Sequence, residues 1–189
     1  MGDMPGNLPR RSWGGMAALA GVLTFIATVA TLHLLQPGYD PVHQLMSELA
    51  MGDHGWAMLA AFAGLAVAVL GIQAAVGAAG ASWGYRILLS AGSLSFLVAG
   101  VFPLGTAADM HIASIAMAFM LMVLAMYFFP SSAGAASSVL PRSLAWFLAA
   151  AVVMSVALSP SILPMGIGQR LAAAFLLAWL AILGWRLKR

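Results

Sequence analysis

The chain has 189 residues, 63% of them hydrophobic and 7% charged, with eight Lys or Arg against five Asp or Glu and a formal net charge of +3. An ordinary soluble domain is about 25% charged and about 45–50% apolar, so this composition, with a mean hydropathy of +1.00, excludes a soluble enzyme, a disordered tail and a nucleic-acid binder. The lack of cysteine excludes disulfides, thiolate metal sites, iron–sulfur clusters and cysteine nucleophiles.

A membrane-spanning helix needs about 20 mostly apolar residues. Six runs qualify, roughly 13–36, 55–80, 85–103, 110–129, 143–159 and 168–186. They predict an all-α polytopic bundle of six transmembrane helices, with residues 1–12 as a cytoplasmic tail, 13–186 as one membrane domain and 187–189 as a cytoplasmic end. Arg10 and Arg11 precede the first run, but that run is longer than a signal core and has no small-x-small cleavage site. Met1-Gly2 lacks the Ser or Thr of a myristoylation signal.

The loop after the first span reads GYDPVHQLMSELAMGDHG. Asp40 before Pro41 is a helix start, a capping carboxylate followed by proline at the first helical position, and Gly52 is a stop. Val42, Leu45, Met46 and Leu49 make one apolar stripe. A short amphipathic outer helix over about 41–51 follows, either with its polar side in water or as a lid turning His43, Ser47 and Glu48 into a pocket.

Spans two and three are rich in small residues, Gly64, Gly71, Gly77, Ser90 and Ser93 among them, which let helices approach closely. Asp53 and Asp109 precede apolar runs and suit helix capping. His111 lies within the first turn of span four, where an ionisable residue is a functional candidate; a ring hydrogen bond to a backbone carbonyl is the alternative. His33 suits snorkelling at the end of span one. The stretch 130–142 reads as a flexible linker. The methionines of span four scatter around the helix, so they are gap-fillers and not a copper path.

With six alternating spans, Arg10, Arg11, Arg86, Arg142, Arg186, Lys188 and Arg189 fall on one side and Arg170 alone on the other. This places both termini in the cytoplasm of a cell (inner) membrane. Asp40, Glu48, Asp53, Asp109 and all four histidines fall on the outer side. Arg170 sits at a helix N-terminus, where the dipole disfavours a cation, so a carboxylate partner, Glu48 or Asp109, is expected, with His111 in the same cavity.

Three groups of residues resemble the multi-span membrane family catalogued as domain of unknown function 998: Ser47-Glu48-Leu49 after span one, Phe102-Pro103 with His111 across the next turn, and Gly168-Gln169-Arg170 opening span six, with Trp179 further in. Relatives often carry an acidic or polar residue soon after Phe-Pro; here Leu104 and Gly105 follow and Asp109 comes later. The resemblance implies a six-helix bundle and no established reaction.

Together these readings predict an outer-leaflet pocket built from His43, Ser47, Glu48, Asp109, His111 and Arg170, taking a lipid headgroup or small amphiphile, with no cofactor, no nucleic acid, and the bilayer as partner. Two other readings stay open. One is a membrane hydrolase, with a single metal on Glu48, Asp109 and His111 or with Ser47 as nucleophile and His111 as base. The other is a haem-binding or accessory subunit with His33 and His111 as axial ligands.

Overall fold

A computed structural model describes residues 13–159 and 161–188. The tail over 1–12, with Arg10 and Arg11, and the terminal Arg189 lie outside the described residues. The six principal helices are α1 (Trp13–Leu35), α2 (Met58–Ala78), α3 (Trp83–Val101), α4 (Ala108–Ser132), α5 (Arg142–Ala157) and α6 (Met165–Leu187). Three short 3₁₀ helices join them at Met46–Met51, Gly55–Ala57 and Gly134–Val139, and no strand occurs among the described residues.

Five of the helices, all but α5, are long and apolar enough to cross a membrane. The expected run 143–159 forms a helix of only 16 residues, about 24 Å at 1.5 Å per residue, short of a hydrocarbon core about 30 Å thick. It ends at Ala157, and the sequence places Pro160 and Pro164 just beyond, where the residues before proline are pushed out of helical geometry.

Each helix packs on its neighbours in sequence, α6 closes the ring onto α1, and α2 also touches α6 across the middle. Small residues set the closest approach. A Cβ on Gly21 would stand 2.3 Å from the Gly64 carbonyl oxygen, and one on Gly14 would stand 2.4 Å from that of Gly71. Only glycine permits these backbones to meet. Hydrogen bonds cross the α2–α3 and α3–α4 interfaces, from Ser93 Oγ to the Ala66 carbonyl at 2.9 Å and from Tyr85 OH to the Ala125 carbonyl at 3.0 Å.

The alternation gives the bundle two unlike ends. Arg86, Arg142, Arg186 and Lys188 gather at one. There the stretch expected as a flexible linker is folded instead: Ala133, Ala136 and Leu140 are buried, the Ser82 amide donates to the Ser132 carbonyl (2.9 Å) and the Ala135 amide to the Ala79 carbonyl (2.8 Å). Its small side chains let the turn sink between helix ends, which composition alone reads as flexibility. Trp13, Trp83 and Trp185 are exposed around this end, as an interfacial aromatic belt requires. The opposite end carries His33, Asp40, His43, Glu48, Asp53, His54, Asp109, His111 and Arg170.

Candidate functional site

The segment expected as one helix over 41–51 is two pieces. Asp40 Oδ1 accepts the Val42 amide at 2.8 Å and the Asp40 carbonyl accepts the Gln44 amide at 2.9 Å, which closes a turn. Leu45 is then extended, with ψ 147°, and the 3₁₀ helix begins at Met46. The break follows from competition for backbone groups. The Gln44 carbonyl accepts Arg170 Nη1 (3.0 Å), the Leu45 carbonyl accepts Tyr39 OH (2.8 Å), and the Met46 amide donates to Gln169 Oε1 (2.6 Å). The Met46 amide, which a continuous helix would pair with a carbonyl four residues earlier, is instead held by Gln169 of α6, while the Leu45 carbonyl still accepts the Glu48 amide at 3.0 Å to open the 3₁₀ turn.

Glu48 holds this fold from within. Its Oε1 accepts the Leu45 amide at 2.8 Å and its Oε2 accepts Gln44 Nε2 at 3.1 Å. His43 is exposed and donates from Nδ1 to Asp40 Oδ2 at 2.7 Å. That bond, with the Val42 amide, holds the Asp40 carboxyl below its usual value.

Arg170 corrects the expected ion pair. Among the described residues the one charge contact within 4.0 Å is that of His43 with Asp40, so neither Glu48 nor Asp109 meets the guanidinium. Nη1 donates to the Gln44 and Gly166 carbonyls, each at 3.0 Å. Nη2 donates to His33 Nε2 at 3.0 Å and to Tyr39 OH, and the guanidinium lies over the Tyr39 ring, 5.4 Å from its centroid. Four of the five arginine N–H groups thus end on neutral acceptors from α1, the loop between α1 and α2, and α6 itself. His33 Nδ1, 2.6 Å from the Val29 carbonyl, carries its proton there, which leaves Nε2 as the acceptor for Arg170. Burial raises the Tyr39 phenol above its ordinary value against the pull of Arg170, so it stays a donor to Leu45.

His111 is 1% exposed. Its Nδ1 donates to the Ala99 carbonyl (2.8 Å) and the Phe102 carbonyl (3.1 Å), capping the end of α3. Its Nε2 is buried without a partner among the described residues, and Phe62 packs edge-on to the ring with centroids 5.5 Å apart. No hydrogen bond among the described residues joins His111 to Ser47, Asp109 or Arg170. Asp109 is exposed in the first turn of α4, where it complements the helix dipole.

These positions bear on the two open readings. Among the described residues no group of three His, Asp or Glu gathers at metal-binding range, so Glu48, Asp109 and His111 do not form one ligand set. His33 has both ring nitrogens engaged, Nδ1 with the Val29 carbonyl and Nε2 with Arg170, so in this arrangement it offers no nitrogen to a haem iron shared with His111.

Three openings lie at or below this end. An opening of about 410 Å³ at the surface of this end is lined by Gln36, Tyr39, Gln44, Glu48 and Asp53. An apolar groove of about 630 Å³ runs between α4, α5 and α6, with Phe119, Met120, Val153 and Val156 in its walls and Ser159 and Gln169 as polar members. An inner cavity of about 20 Å³ shares Ile115, Phe119 and Gln169 with the groove and reaches Ser47. Of the six expected pocket residues, Ser47 lines the inner cavity and Glu48 the surface opening; His43, Asp109, His111 and Arg170 line none of the three.

Gln169, Tyr39 and His33 are the residues whose part was missed. Gln169 stood inside the Gly168-Gln169-Arg170 run, but nothing in its spacing pointed to a loop more than a hundred residues earlier. No curated protein and no solved structure matches the chain. A family model described as "Protein of unknown function (DUF998)" matches residues 19–186. The chain, an all-helical protein with several helices of membrane-spanning length, belongs to that family.

Proposed function

We propose that this protein binds a lipid or small amphiphile from the outer half of a cell membrane, holding its hydrocarbon chain in the groove between α4, α5 and α6. The carrying observation is that groove: about 630 Å³, walled by apolar side chains, with Gln169 and Ser159 near the polar end of the bundle. All six helices cross or enter the bilayer in this reading, with α5 as a short sixth span that leaves the groove laterally open. The basic end faces the cytoplasm, following Arg86, Arg142, Arg186 and Lys188. Ser47 lines the inner cavity, which shares Ile115, Phe119 and Gln169 with this groove. Glu48 and Arg170 shape its roof through Gln44, and Arg170 is a staple here, not an anion clamp.

The test is mass spectrometry of an organic extract of protein purified in mild detergent. One amphiphile class should be enriched over the bulk lipid, and Ala116→Trp, which fills the groove, should remove it. An extract with the composition of the bulk lipid, unchanged by that substitution, contradicts the reading.

A further inference from the structure

Resting on the groove reading above, we infer that the ligand is a single-chain amphiphile with a small, uncharged oxygen head, such as a long-chain alcohol, whose head sits between Ser47 and Gln169. Four observations converge on this chemistry.

The first is charge. Among the described residues no Lys, Arg, Asp or Glu lines the groove or the inner cavity, and Arg170 spends four donors on His33, Tyr39, Gln44 and Gly166. An ionic head in this place would lack a counter-charge, and a buried unpaired charge is costly.

The second is size. The inner cavity holds about 20 Å³, room for one water-sized group. A hydroxyl fits; a phosphate or a trimethylammonium does not.

The third is hydrogen bonding. The Met46 amide is a donor, so the Gln169 atom facing it at 2.6 Å is the carbonyl oxygen. The NH₂ of the same amide has no partner among the described residues, and the side chain lines both openings. Ser47 is 4% exposed, borders the cavity, and its hydroxyl likewise makes no hydrogen bond among the described residues. One carboxamide donor and one hydroxyl without hydrogen-bond partners among the described residues, on two side chains that line a space the size of a single oxygen, are complementary to an alcohol.

The fourth is depth. Gln169 is the fifth residue of α6, about 6 Å along the axis from its start, so the head lies just below the interface while the chain follows the groove past Phe119 toward Val123.

The experiment uses the full chain in detergent and a hexadecanol carrying a diazirine in its chain. Photolabelled peptides should come from α4, α5 and α6. Unlabelled hexadecanol should compete well, while palmitate at pH 9 and hexadecyltrimethylammonium should compete poorly. Gln169→Glu keeps the acceptor for the Met46 amide and removes the NH₂; it should weaken hexadecanol about 5- to 10-fold, the worth of one neutral hydrogen bond. Ser47→Ala, which costs the apo protein no hydrogen bond, should do the same and guards against a folding defect in the first variant. Labels on other helices overturn the groove reading itself. Labels in the groove with equal competition by the charged probes, or with affinity unchanged in both variants, overturn the head assignment and leave the groove standing.

Discussion

At the scale of single residues, the polar end is held by side chains that satisfy backbone, not by opposite charges. Arg170 looked from the sequence like half of an ion pair because two penalties met at one position. The structure meets both with neutral acceptors aimed from three directions. Arg170→Met removes four hydrogen bonds at a half-buried site and should cost at least about 2 kcal/mol, read as a lower unfolding midpoint in a denaturing detergent titration. In a double-mutant cycle, Arg170→Met with Tyr39→Phe should show a coupling of about 1 kcal/mol, whereas Arg170→Met with Asp109→Ala should be additive. A coupled Asp109 and an additive Tyr39 would restore the ion pair. Asp40 gives a pH dependence at the same scale. Its folded pKa is lowered by His43 and the Val42 amide, so the turn it closes is intact above the ordinary value of 3.8 and is lost as pH falls through the lower folded value. Exchange protection of the Val42 amide should disappear in that acidic window; protection lost already near neutrality would assign the turn to another group.

At the scale of elements, the helices were legible because apolar length marks them directly, and α1 to α6 all fall within a few residues of their expected runs, α5 being the one too short to meet the length of a membrane span. What was not legible has a common physical cause. The segment 41–51 carried a cap, an apolar stripe and a stop, all local signals, yet its middle backbone groups bond to Gln169 and Arg170. Local signals cannot reveal a partner from another helix. The 130–142 stretch erred the same way, since its small residues are what lets it bury against Ala79 and Gly80. The glycine pairs were half legible. Gly64 and Gly71 stood out as packing residues, but their partners Gly21 and Gly14 required the fold. Gly21→Val should therefore force α1 and α2 apart and lower stability by about 1–3 kcal/mol, the usual range for overpacking. The same change at Gly38, where a Cβ meets nothing within 4 Å, should have little effect.

At the scale of the whole molecule, the sequence already separated the two ends: basic residues at one, acids and histidines at the other. The candidate site was legible only as a depth. Ser47 and Glu48 each line an opening at the polar end, but the groove that carries the proposal depends on the packing of α4 against α5, which spacing does not encode. Orientation follows the basic end, so reporter fusions at residue 135 and after the C-terminus should both read cytoplasm, and an external signal from either would break the six-span reading. The most direct measurement of the central claim is an experimental density map of the protein in lipid nanodiscs, prepared without added amphiphile. The groove reading predicts one elongated feature between Val123 on α4 and Val153 on α5, its upper end against Gln169. A groove closed by direct contact of α4 with α5, or one open and without ordered density, would contradict it.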